Sequence, residues 1–224
     1  MTRFIDLSHP VATGVVGYPG LPAPRIEPHI SHEASRPTYA GAAEFEITRV
    51  FMVGNSGTYL DSPYHRFPDG PDVAGLPLSS LAGLRGRVLE AGPGSGSRRI
   101  ELEVPPDVGG AAVLLRTRWD RHRATEAYWR PAPFVPRELA ERLVALEVAL
   151  VGIDAWNIDD VEDPVRPAHT TLLHAGIPIV EHLTGLDRLP PAGFRFTAVP
   201  APIVGAASLP VRAYAEIEDA AGGI

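Results

Sequence analysis

A chain of 224 residues and 24.0 kDa is long enough for one domain, or one domain with arms, and 45% hydrophobic residues suffice for a core. A formal charge of −7, with no basic cluster longer than Arg98-Arg99, argues against nucleic acid as a partner. Cysteine is absent and all 20 basic residues are arginine, which excludes disulfides, thiolate metal sites, cysteine nucleophiles and a Schiff-base lysine. No apolar run approaches the length of a membrane span, and the opening MTRFIDLSHP has no signal-peptide core. The expectation is a cytoplasmic protein with a small-molecule partner.

In chain order, residues 3–7 read as a short strand. The Gly- and Pro-rich stretch that follows reads as loop, and residues 1–40 together as an extended arm of a single domain spanning 1–224. In PHISHEAS, a solvated loop is the simpler reading, with His29 and His32 as reserve ligand candidates. Phe45–Val53 is a β-rich apolar run and predicts a buried strand. It leads into GNSGTYLDSPYHRFPDG, Gly54 to Gly70, where Asn55, Thr58, Tyr59, Asp61 and His65 crowd between glycines and prolines. Such a segment avoids helix and long strand, and reads as a rigid loop carrying an amide, a phenol, a carboxylate and an imidazole.

Leu76–Leu84 predicts a short helix, Gly86–Gly92 a strand, residues 93–99 a flexible turn, and Ala111–Arg116 a buried strand. Trp119, just beyond that strand, is either a pocket wall or a core residue. Pro136–Glu147 is the clearest helix, with Leu139, Leu143 and Leu146 on one face, and Val148–Asp154 follows as a strand. Strand, helix, strand implies a parallel crossover. Asp154 and Asp159 read as turn or cap carboxylates that could support a site. His169–His174 reads as a short helix ended by Gly176. Ile177–Glu181 then predicts a strand that could bring Glu181 beside His169. His174 and His182 read as surface or packing residues. The stretch from Phe194 onward reads as two more strands. Together these elements predict an α/β fold with a mixed sheet core and few helices.

The run from Asn55 to His65, N-S-G-T-Y-L-D-S-P-Y-H, resembles the motif H-x-G-T-H-x-D-x-P-x-H of the cyclase family, which includes bacterial kynurenine formamidases and isatin hydrolases. Gly57, Thr58, Asp61, Pro63 and His65 match, while Asn55 and Tyr59 stand where that family has two metal-binding histidines. Further matches are Ile5–Pro10, Tyr18–Gly20, Thr117 with Trp119, Gly152–Asp154, and Pro202–Ala213. His169 and Glu181 keep the twelve-position spacing of the family's remaining His and Glu. The resemblance implies a swivelling β/β/α domain, a homodimer or homotetramer, and an arm near an active site.

It also implies Asp61, His169 and Glu181 as ligands of one divalent metal, Zn²⁺ or Mn²⁺, with His65 as general base. The second metal position, left with Asn55 and Tyr59, is expected to be empty or weak. Tyr59 is then a candidate catalytic hydrogen-bond donor, and Asn55, Tyr18, Phe67 and Trp119 are candidate substrate contacts. The leading expectation is a metal-dependent hydrolase of an amide, lactam or lactone. The alternatives are a metal-free cyclase or dehydratase using His65 and Tyr59, and a non-catalytic binding protein. No G-x-S-x-G elbow supports a serine nucleophile.

Overall fold

The computed structural model describes residues 1–92 and 97–218. Its strands are β1 (Thr2–Asp6), β2 (Arg25–Ile30), β3 (Ile47–Phe51), β4 (Tyr59–Asp61), β5 (Leu84–Glu90), β6 (Ala111–Arg116), β7 (Leu150–Ile153), β8 (Ile179–Glu181), β9 (Phe194–Thr197), β10 (Ser208–Pro210) and β11 (Tyr214–Glu218). Three α-helices join them among the described residues: α1 (His32–Ser35), α2 (Arg137–Ala145) and α3 (Pro167–His174). Nine strands form one mixed sheet in the order β1-β11-β9-β5-β6-β7-β8-β4-β10. The centre, β5 to β8, is parallel, and antiparallel strands flank it on both sides. The fold is therefore α/β with a mixed sheet and few helices. No helix among the described residues is long and apolar enough to cross a membrane.

The parallel centre is covered on both faces, so β6 is an unbroken apolar run. Its side chains alternate between two cores: Val113 and Leu115 join one, Ala112 and Leu114 the other. The first core takes Leu139, Ala140 and Leu143 from α2 and Ala168, Leu172 and Leu173 from α3. The second is closed by Val73, Leu76 and Leu81 and by Leu183, Leu186 and Leu189. The crossover from β6 through α2 to β7 is parallel, as the sequence pattern predicts.

Four expectations change. The strand within Phe45–Val53 forms, but it is exposed: β3 pairs only with β2, in a two-stranded ribbon apart from the sheet, so no layer covers it. The Gly54–Gly70 stretch is not all loop, because β4 lies inside it as a buried strand between β8 and β10. Leu76–Leu84 holds only the single 3-10 turn Leu78–Ser80, too short a segment between Pro77 and Gly83 to sustain an α-helix. From Phe194 onward the described residues hold three strands rather than two. Of the turn expected at 93–99, residues 93–96 lie outside the described residues.

Two glycines fix β4 in place. A Cβ on Gly54 would lie 2.1 Å from the backbone oxygen of Ser208 in β10, and one on Gly57 (φ +65°) would lie 3.0 Å from the His9 oxygen in the arm. The Gly54→Ala variant is expected to push β10 away from β4. Denaturant unfolding should show a loss on the order of 1–3 kcal/mol; an unchanged midpoint would contradict the close approach.

Candidate metal centre

Strand register builds the centre. Tyr59 and Asp61 are two apart on β4 and so share a face, while Leu60 between them points into the second core. Tyr59 pairs with Glu181 across β8, and Asp61 pairs with Ser208 across β10. Directly opposed residues share a face, so one side of three adjacent strands presents a phenol, two carboxylates and a hydroxyl. Helix α3 packs on that side and supplies His169.

All of these side chains are buried: Asp61 0%, Glu181 1%, Tyr59 1% and His169 5% exposed. His169 Nε2 lies 3.6 Å from Asp61 Oδ2 and 3.7 Å from Glu181 Oε1. These separations are too long for hydrogen bonds. They match the spacing of ligand atoms around a shared cation. Asp61 Oδ2 is buried without a hydrogen-bond partner. A buried carboxylate oxygen is costly when nothing opposes it. One imidazole nitrogen and two carboxylate oxygens, one of them orphaned, therefore fit a divalent cation. Asp61, His65 and His169 also bring one ligand atom each within 4.8 Å of one another.

The other atoms of these groups are already committed. Glu181 Oε2 accepts a 2.5 Å hydrogen bond from the Tyr59 hydroxyl, and Oε1 accepts one from the Ile158 amide at 2.6 Å. The Ser208 hydroxyl donates to Asp61 Oδ1. Asp159 accepts from His169 Nδ1 at 2.6 Å, and from the Ala168 and His169 amides at the start of α3. With its proton on Nδ1, His169 turns the Nε2 lone pair toward Asp61 and Glu181.

Burial works against charge on His169, but the Asp159 bond and the neighbouring Asp61 and Glu181 outweigh it and raise its pKa to about 10. Burial, reinforced by the charge of Asp61, raises Glu181 to about 7 against the opposite charge of His169. Burial likewise opposes ionisation of Asp61, yet His169, His65 and Ser208 hold its carboxyl below the usual range. Burial and Glu181 push the Tyr59 phenol well above its ordinary value, so it donates as a neutral group.

His65 closes a 3-10 turn just past β4 and is partly exposed. Its Nδ1 lies 3.1 Å from Ser208 Oγ and 3.6 Å from Asp61 Oδ1. Since the Ser208 proton goes to Asp61, Ser208 Oγ accepts from His65 Nδ1–H, which leaves His65 Nε2 as a lone-pair base. A cavity of about 240 Å³ opens over this array, lined in part by Tyr18, Asn55, Tyr59 and His65.

The structure thus brings Tyr18, Asn55, Tyr59, Asp61, His65, His169 and Glu181 to one cavity. Phe67 and Trp119 stand elsewhere. Phe67 packs on the His174 ring at 5.4 Å, and the Trp119 indole donates to the Tyr128 carbonyl. His29 and His32 lie on the ribbon and in α1, with His29 bonded to Arg49. His182 is buried against the Tyr128 hydroxyl at 2.9 Å, and burial holds it uncharged. Asp154 accepts from Thr117 and the Arg118 amide.

Sequence reasoning missed the specific work of Asp159 and all of Ser208. The Ile158-Asp159 pair after a strand offered a signal for the first. Ser208 lies inside the matched run Pro202–Ala213, but only sheet pairing across 147 positions brings it to Asp61.

The fold and site together define an α/β protein with a buried carboxylate–imidazole centre suited to a divalent cation. Comparison with known proteins agrees with that fold. The "Putative cyclase" family model matches residues 5–160, and the chain belongs to this family. A kynurenine formamidase of Sphingopyxis alaskensis is 30% identical over 229 residues, covering 95% of this chain and 97% of the relative. Isatin hydrolase A from Labrenzia aggregata, solved with benzyl benzoate, superposes with a TM-score of 0.80 at 22% identity, over 97% of this chain and 94% of the other. A solved structure described as a potential metal-dependent hydrolase with cyclase activity gives a TM-score of 0.74 at 24% identity, over 98% of this chain and 100% of the other.

Replacing Asp159 by Asn removes the charge that orients His169. The Asp159→Asn chain is expected to bind Zn²⁺ or Mn²⁺ roughly 10–100-fold more weakly in calorimetric titration. Unchanged affinity would show that Asp159 only caps α3.

Proposed function

We propose that this chain is a metal-dependent hydrolase that cleaves the C–N bond of a non-peptide amide, with lactams and lactones in the same reactivity class. The observation that carries this reading is the orphaned Asp61 oxygen facing His169 Nε2 and Glu181 Oε1, beside the His65 imidazole that Ser208 orients. The kynurenine formamidase relatives support the amide class.

Asp61, His169 and Glu181 would hold one Zn²⁺ or Mn²⁺, a pairing that suits an oxygen-rich donor set. Such an ion supplies Lewis acidity, polarising a carbonyl and lowering the pKa of water beside it. The protein supplies the remainder. Asp159 keeps the His169 proton on Nδ1. The Asp61–Ser208–His65 chain keeps the His65 proton on Nδ1, so Nε2 takes a proton from the attacking water and returns it to the departing nitrogen. Tyr59, bonded to Glu181 Oε2, leaves that carboxylate a single oxygen to offer, which favours one cation over two. Asn55 and Tyr18, on the cavity wall, orient the substrate.

The His65→Ala chain should lose about 10²–10⁴-fold in kcat on an amide substrate while still binding metal. Chelation should abolish turnover, and added Zn²⁺ or Mn²⁺ should restore it. Full activity in a chain shown by elemental analysis to be metal-free would refute the metal role.

We also read the chain as one domain, since the first strand pairs with the last described one, and as a homo-oligomer. The arm and ribbon expose Val15, Val16, Ile26, Ile47, Val50 and Phe51. A patch of that kind is ordinarily covered by a partner, and a second copy fits a dimer or tetramer. Light scattering should give at least twice the chain mass at micromolar concentration; a monomer there would exclude the assembly.

A further inference from the structure

Two arginines line the cavity, Arg66 and Arg166, and neither forms an ion pair within 4 Å of a carboxylate among the described residues. Arg66 follows the base His65 and donates from Nε to Thr170 Oγ1 at 3.2 Å and from Nη2 to the Val165 carbonyl at 3.0 Å. Arg166 reaches Asn157 Oδ1 at 3.5 Å and the Asp160 carbonyl at 3.4 Å, both long, through Nη1 alone. Among the described residues, every hydrogen-bond partner of these guanidiniums is a neutral oxygen. The nearby carboxylates are engaged elsewhere: Asp159 with His169 and α3, Asp160 with Arg98 through two bonds, and Glu162 with Arg98. The carboxylates in the cavity, Asp61 and Glu181, are bonded to Ser208, Tyr59 and the Ile158 amide and face His169.

The backbone adds a second observation. Arg166 sits just before α3 at φ +52°, in the left-handed region that favours Gly or Asn. A long charged side chain kept at such a position, half-buried on a cavity wall, is a functional signal. Its Asn157 partner in turn donates to the Tyr18 hydroxyl at 3.2 Å, so Arg166, Asn157 and Tyr18 form one polar edge of the cavity. A guanidinium has five N–H donors in a fork that matches a carboxylate. Among the described residues, Arg166 hydrogen-bonds through Nη1 alone, in two long bonds.

We propose that Arg66 and Arg166 form an anion-recognition rim, and that the substrate is a small amide carrying a carboxylate beside the acyl group that is cleaved. The inference rests on the hydrolase reading and names its substrate class. A cavity of about 240 Å³ fits a compound of one ring's size. The carboxylate lies against the arginines while the acyl carbon lies over Asp61, His169 and Glu181.

The test uses the full chain loaded with Zn²⁺ and two probes, 2-formamidobenzoate and its neutral counterpart formanilide. The wild-type chain should prefer the anionic probe. In Arg166→Gln the ratio of kcat/KM, anionic over neutral, should fall about ten- to hundredfold, chiefly through KM. Arg166→Lys should recover part of it, and added salt should weaken the preference. Arg66→Gln, at an exposed position, should lower the same ratio without any question of folding.

Equal turnover of both probes by the wild-type chain, or a ratio unmoved in both Gln variants, would overturn the proposal. Calorimetric titration with benzoate separates the two readings. If neither probe is hydrolysed but benzoate binds the wild-type chain at least about tenfold tighter than the Gln variants, the rim stands and the hydrolase reading fails. Absent or equal benzoate binding would overturn the rim.

Discussion

A buried carboxylate with one oxygen left bare is the constraint on which this structure turns. Asp61 is fully buried, and its Oδ2 has no hydrogen bond. Around it lie Glu181 and Asp159, also buried, with one buried imidazole, His169, and the more exposed His65 to oppose the three. Removing such charges from water costs several kcal/mol each unless something positive compensates them. His169 answers part of this, since against its burial Asp159, Asp61 and Glu181 favour its charged form and push its pKa up. A proton on Nε2 and a divalent cation there are alternatives, since a metal requires the lone pair. Either positive group would face the same three donors, His169 Nε2, Asp61 Oδ2 and Glu181 Oε1.

The sheet makes this arrangement rigid. Four of the groups, Tyr59, Asp61, Glu181 and Ser208, come from three adjacent strands, and their shared face follows from register alone. A one-residue slip of β4 would turn Asp61 into the second core and Leu60 toward α3. Glycine at 54 and 57 lets neighbouring chain approach close enough to hold that register. The replacement of two motif histidines by Asn55 and Tyr59 belongs to the same logic. The phenol binds Glu181 Oε2 and stays neutral, so it satisfies an oxygen that would otherwise need a donor or a cation.

Much of this was legible in the chain. Apolar runs gave β6 and β7, the leucine face gave α2, and the spacing of His169 and Glu181 around a helix-breaking glycine anticipated their meeting. What failed was local reading of context. The apolar content of Ile47–Phe51 looks like a core strand, but burial depends on which layer lies over it, and none does. Gly54–Gly70 reads as loop because its turn residues outnumber a strand of three, and pairing on both sides overrides that preference. Ser208 and Arg66 depend on contacts across about a hundred positions or more, which no local pattern encodes.

Asp159 shows most directly how position turns a common residue into a specific one. A carboxylate near a helix start ordinarily caps backbone amides, and Asp159 does bind the amides of Ala168 and His169. The same oxygen that takes the His169 amide also takes Nδ1. One group therefore fixes where α3 begins, which tautomer His169 holds and where Nε2 points. Stability of the helix and readiness of the centre are coupled through a single side chain. The left-handed turn at Arg166, just before the helix, fits beside it: the strain is borne where α3 is already anchored by a buried carboxylate, and the guanidinium it carries is left facing the cavity.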